Sequence, residues 1–134
     1  MKRKPVVPLV LLMGLLTLGI PLFAHHGNVA YDTSKAVVLK GATVTKFVWA
    51  NPHTFIMFDA KDEQGNVQHW SGEAGSPSAL RLLGWSQSSL AAGDTITVYI
   101  YKSKTGNPVG RLNKIVLADG TELKDSALGY KDVE

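Results

Sequence analysis

Five segments with strand-like alternation, one short capped helix between the third and the fourth, and a glycine inside a long first segment predict a mainly β fold. The architecture they point to is a five-stranded OB-like barrel with one short helix between strands 3 and 4, preceded by a signal peptide. A small sandwich with an added helix is the architectural alternative.

The chain opens with Lys2, Arg3 and Lys4, followed by an apolar run over residues 6–18 broken only by Pro8, Gly14 and Thr17. Gly19 and Pro21 end the run just before Ala24, the small residue a signal peptidase needs, so residues 1–24 read as a signal peptide. Leu22 is bulkier than the cleavage pattern prefers. Residues 6–23 are also about as long as the shortest membrane-spanning helices, which makes a retained anchor the competing reading. The chain has no cysteine, so lipid attachment at cysteine and disulfides are excluded.

Residues 25–125 form the expected domain. Residues 36–49 are rich in valine, threonine and aromatics and hold Gly41, which suits a long first strand that bends at the glycine. After a turn at Ala50, Asn51 and Pro52, residues 53–60 make a second strand. Residues 62–66 form a hairpin turn around Gly65, and residues 67–74 a third strand. Ser76 as N-cap, Pro77 at the first helical position and Gly84 at the far end frame the helix, with Leu80, Leu82, Leu83 and Trp85 as its buried side. In the fourth strand, residues 95–101, Thr95, Thr97, Tyr99 and Tyr101 alternate outward with Ile96, Val98 and Ile100 inward. A polar loop over 102–108 leads to a fifth strand over 109–117. Asp119 and Gly120 then turn the chain, and residues 126–134 are expected to form a loose tail.

Charge narrows the partners. The chain has 14 basic and 11 acidic side chains, but three of the basic ones are Lys2, Arg3 and Lys4, leaving 14 − 3 = 11 of each after the leader. The basic balance that would suggest nucleic acid therefore belongs to the signal, and nucleic acid is not an expected partner. No membrane contact is expected after cleavage.

OB barrels usually bind ligands on the face of strands 2 and 3, between the loop joining strands 1 and 2 and the loop joining strands 4 and 5. That puts Trp49, Asn51, Pro52, His53, Phe55, His69, Glu73, Lys102, Lys104 and Asn107 near the expected site. Among them Trp49, Asn51, His53, Phe55 and Glu73 are the ligand-binding candidates. Outward-facing Trp49 and Phe55 would form an amphipathic platform for a flat ligand.

The metal-ligating candidates are His25, His26, His53 and His69. A cut after Ala24 makes His25 the amino terminus, where a free amine beside an imidazole is a bidentate nitrogen donor suited to copper(II). One further imidazole gives a three-nitrogen site. If strands 2 and 3 pair through the 62–66 turn, His53 lies near Glu73 or Ala74 and His69 near Phe58, roughly 16 Å apart. One ion cannot hold both, and the nine residues between His26 and Ala36 can span up to roughly 30 Å and so reach either. The plainer readings are a solvated terminus, a turn histidine bonding its neighbours at His53, and a cross-strand surface partner at His69. Glu73 reads either as a carboxylate orienting the His53 ring or as an ordinary exposed acid.

The order of several short motifs also carries a resemblance. His25-His26, Tyr31-Asp32, Asn51-Pro52-His53, Ser76-Pro77, Gly84-Trp85 and Gly93-Asp94 together resemble the small exported bacterial proteins grouped as domain of unknown function family 6152. Members tend to read His-His-Ser, and Gly27 departs from that pattern. The resemblance spans nearly the whole chain and implies export and an OB-like single domain. It supplies no mechanism.

Enzymatic chemistry finds no motif. The sequence has no Gly-x-Ser-x-Gly elbow, no phosphate-binding glycine loop and no His-x-x-x-His pair, so the expectation is a protein that is not an enzyme. The resulting reading is an exported small binding module, periplasmic or secreted, of unknown ligand, with copper through the mature amino-terminal histidine as its specific form. The alternative is a protein-interaction or small-ligand module of an envelope assembly that uses the aromatic loop face without metal.

Overall fold

The structure, a computed structural model, describes residues 30–126. In chain order the elements are β1 (Val37–Val48), β2 (Phe55–Lys61), β3 (Val67–Glu73), α1 (Pro77–Arg81), β4 (Thr95–Lys102), β5 (Val109–Val116) and β6 (Glu122–Lys124). The sheet runs β3-β2-β1-β4-β5-β6, and a parallel pairing of β3 with β5 closes the first five strands into a barrel. Among the described residues, no helix is long and apolar enough to cross a membrane. The expected signal peptide and cleavage site, His25, His26 and residues 127–134 of the expected tail lie outside the described residues.

β1 serves both halves of the barrel, pairing with β2 and with β4. It bends where Gly41 takes a φ of 65°, and its register with β4 shifts between Leu39 and Ala42. That backbone conformation penalises any residue with a Cβ, which is why a glycine inside a strand is informative. β2 and β3 form a regular hairpin in which Phe55 faces Glu73, Met57 faces Ser71 and Asp59 faces His69. Asp62 fastens its turn by accepting from the backbone N–H groups of Gln64 and Asn66.

Closure depends on a close backbone approach. Gly110 of β5 pairs with Gly72 of β3 on one side and Lys102 of β4 on the other. A Cβ at Gly110 would lie 2.5 Å from the Tyr101 carbonyl oxygen, so glycine is what lets β5 come this close to β4 at the point where it also pairs with β3. Inside, Val44, Ile56, Phe58, Val98, Ile100, Leu112 and Ile115 are almost fully buried, and Phe58 stacks on Trp70 with ring centroids 6.2 Å apart. Close packing of these branched and aromatic side chains is the main source of stability.

The helix starts as the sequence predicts: the Ser76 hydroxyl accepts from the Ala79 backbone N–H at 3.3 Å, and Pro77 follows it. Its buried side is narrower than expected. Leu80 and Trp85 are buried, but Leu82 is 89% exposed. Two residues along a helix is a rotation of about 200°, so Leu82 points away from the face that Leu80 occupies.

Tyr101 also departs from the expected pattern, being buried where period-two alternation puts it outside. Two irregularities meet there. The register of β4 with β5 shifts so that Asn113 is an extra residue, and its side-chain amide donates to the Tyr101 hydroxyl at 2.8 Å. Residues 31–36 also run past this end of β4 before β1 begins, with Tyr31 bridged to Ser103. Strand β6, a stretch to which the sequence reading gives no element between the last turn and the tail, adds to the edge of β5 through Leu123 and its neighbours.

Candidate functional site

The pairing of β2 with β3 runs past the ends of both strands. The Thr54 N–H donates to the Gly75 carbonyl at 3.0 Å, and the Thr54 carbonyl accepts from Ala74 at 2.8 Å. This holds the backbone that carries His53 beside the end of β3. The His53 side chain is 45% exposed, and its Nδ1 contacts Oε1 of Glu73. Glu73 sits between Phe55 of β2 and Arg111 of β5 in the strand register, so its carboxylate is reachable from three directions.

All three are used. Besides His53, the Glu73 carboxylate accepts from the Tyr31 hydroxyl at 2.9 Å through Oε2, and Arg111 Nη1 approaches Oε1 at 3.4 Å. Arg111 then donates to Oδ2 of Asp125 from Nε at 3.1 Å and from Nη2 at 2.8 Å. Oδ1 of Asp125 accepts from the Gly75 backbone N–H at 2.6 Å. Chain segments far apart in sequence thus share one polar cluster at one end of the barrel.

Its electrostatics follow from the count. Two carboxylates and one guanidinium give −2 + 1 = −1 when His53 is neutral, so the cluster attracts cations. Burial pushes the Tyr31 phenol up to about 12, helped by its hydrogen bond to Glu73 and by that carboxylate's charge. Burial also raises the Asp125 carboxyl above its ordinary value, against the opposing pull of Arg111 and the Gly75 N–H. A carboxylate can only accept, so the Glu73 contact fixes the proton of neutral His53 on Nδ1. Nε2 then carries the ring's lone pair.

The other sequence candidates are dispersed. His69 faces Asp59 rather than Phe58, one position from the expected register, and its Nδ1 lies 2.6 Å from Asp59 Oδ1. Four strand positions separate it from Glu73, about 13 Å. Trp49 is not an open platform. It is half-buried against Phe47, with ring centroids 5.7 Å apart, and the Arg81 guanidinium lies 5.7 Å from its ring. A tryptophan at the helix-covered end of the barrel contributes more by joining the core than by standing in water. Phe55 is half-buried on the outer side of β2, and Asn51 is exposed in the turn. Lys102 leans over Trp70 at 5.5 Å and lines, with Gln68 and Asp62, a cleft of about 520 Å³ at a separate place on the barrel. The Lys104 N–H donates to the Ala30 carbonyl at 3.0 Å, and Asn107 is exposed.

Sequence reasoning assigned no role to Tyr31, Arg111 or Asp125. Tyr31 and Asp32 stood out only as part of a motif order, and an arginine in the outward alternation of β5 looks like any surface cation. Among the described residues, no three histidine, aspartate or glutamate side chains gather as a metal-ligand set.

A closed five-stranded β-barrel with one short helix and a polar cluster at one end is the class that fold and site define. A match over residues 13–113 places the chain in the family of unknown function DUF6152, and the chain belongs to that family. No curated protein and no solved structure matches it.

Proposed function

We propose that this chain is an exported binding module, periplasmic or secreted, that holds one copper(II) ion between His53 and the amino terminus created by cleavage after Ala24. The observation that carries the reading is the seating of His53 on Glu73, with Tyr31 docked on the same carboxylate. Carboxylate-backed imidazoles are the usual form of metal-ligating histidine. The Tyr31 contact favours His53 over His69 as the partner of His25. From Tyr31 back to His25 is six residues, a reach of up to roughly 20 Å. In this reading the amine and imidazole of His25 supply two nitrogens, His53 Nε2 supplies a third, and the cluster's net negative charge offsets the ion.

Titration of protein beginning at His25 with copper(II), followed by electron paramagnetic resonance, tests this. The expected result is one ion bound through nitrogen donors. Affinity should fall at least tenfold in His53→Ala and in a chain with one extra residue ahead of His25, and should weaken in acid as imidazoles protonate. Binding no tighter than to a free His-His peptide, or a spectrum indifferent to the added residue, refutes it.

A further inference from the structure

A second histidine–carboxylate pair stands on the opposite stretch of the same hairpin, and it has a different neighbour. Ile56, Phe58 and Ala60 of β2 and Trp70 and Gly72 of β3 are buried, so Met57, Asp59, His69 and Ser71 share the outer face. Asp59 Oδ1 lies 2.6 Å from His69 Nδ1, which leaves Nε2 of the neutral ring as a free donor on a side chain that is 83% exposed. Met57 faces Ser71, and Ser71 is two positions from His69. Met57 and His69 are therefore diagonal neighbours on one face, about 7–8 Å apart, within reach of two long side chains. Met57 is 37% exposed, and both residues line one open groove of about 460 Å³.

A thioether beside an imidazole is a soft donor pair. Thioether sulfur selects copper(I) over zinc and other harder divalent ions, and imidazole accepts the same metal. We propose that Met57 and His69 form a copper(I) site on the outer face of β2 and β3, with Asp59 as the residue that positions the imidazole. This site is independent of His25 and His53 and stands or falls apart from them. The groove leaves the ion open on one side, where a third ligand from a donor or acceptor protein can enter.

The sequence makes the test selective. The chain has three methionines, Met1, Met13 and Met57, and no cysteine, so sulfur bound to copper beyond the leader can come only from Met57. The experiment is anaerobic copper(I) titration of protein beginning at His25, in which Met57 is the sole sulfur, against bicinchoninate, with X-ray absorption at the copper edge. Methionine-methyl spectra of the silver(I)-loaded protein give a second readout. The expected result is a sulfur scatterer in the wild type that disappears in Met57→Leu, and a Met57 methyl resonance that moves on silver binding. Affinity should drop at least tenfold in Met57→Leu and His69→Gln and about tenfold in Asp59→Asn. All three positions are on the outer face, and thermal melts confirm that the variants fold. Nitrogen-only coordination in the wild type, sulfur scattering that survives Met57→Leu, or unchanged affinity in His69→Gln overturns the proposal.

Discussion

Removing Asp125 should separate the value of a hydrogen-bond acceptor from the value of a charge. Asp125 accepts the Gly75 N–H at 2.6 Å and two guanidinium donors of Arg111, and its side chain is 2% exposed. Asp125→Ala leaves the Gly75 donor without its acceptor, at a cost of about 1–3 kcal/mol. It also leaves Arg111 with only the 3.4 Å contact to Glu73. Breaking a buried ion pair costs about 3–5 kcal/mol, and because Arg111 keeps some access to water the total should fall at the lower end, about 3 kcal/mol. For a domain of this size that is a fall in Tm of roughly 12–24 °C.

Asp125→Asn should behave differently. It keeps an acceptor for Gly75 and loses the charge, and burial already makes that charge unfavourable, since the folded carboxyl titrates above its unfolded value. Between those two values the folded chain holds a proton that the unfolded chain has released. The stability Asp125 contributes is therefore fully present in acid below its unfolded value and is lost as pH rises through its folded value. The gap between wild type and Asp125→Asn should thus be widest in acid and narrow toward neutral pH, to about 1 kcal/mol or less. Thermal melts of wild type and the two variants across an acid-to-neutral pH series read this directly. If Asp125→Asn is as damaging as Asp125→Ala at neutral pH, or if the gap widens as pH rises, the Arg111 pairing outweighs burial and the reasoning fails.

Three further outcomes are expected. Val98→Asp buries an unpaired charge at a fully enclosed position and should cost about 4 kcal/mol or more, whereas Thr97→Asp on the outer face should cost about 1 kcal/mol; equal losses in urea unfolding would put the core on the wrong face. Gly110→Ala puts a Cβ 2.5 Å from the Tyr101 carbonyl oxygen and should destabilise by about 1–3 kcal/mol, and a neutral result in thermal melts would show that the close approach of β5 to β4 yields freely. Tyr31 should ionise near 12 in an ultraviolet titration, and its contribution there should be missing in Tyr31→Phe. Because the folded phenol titrates above its unfolded value, Tyr31 contributes stability present below about pH 10 and lost as pH rises through about 12, and Tyr31→Phe should lack that alkaline loss.

The barrel was readable because its cues are local. Gly41 inside a valine-rich strand, the Ser76-Pro77 helix start and the alternation of Ile96, Val98 and Ile100 each state their structure within a few residues, and each element appears where those cues put it. Tyr101 and Leu82 depart from the sequence expectation for different reasons. The first depends on an extra residue in a partner strand, which no window around Tyr101 contains. The second follows from helical periodicity itself, which turns Leu82 away from the face of Leu80. Of the site, the proximity of His53 and Glu73 followed from the hairpin register alone. Tyr31, Arg111 and Asp125 could not follow, because their contacts span 42, 38 and 14 residues along the chain and arise only when the barrel closes.

That closure gives Glu73 a further significance. Its two oxygens touch the segment entering the barrel, the loop between the first two strands and the strand that completes the ring, so the carboxylate works as a clasp on chain topology. No partly folded chain can present the same arrangement. A ligand seated there would recognise only the finished barrel, and its binding energy would add directly to global stability in proportion to the logarithm of its concentration over Kd. Occupancy of the site and survival of the fold would then be one equilibrium, measurable from either end.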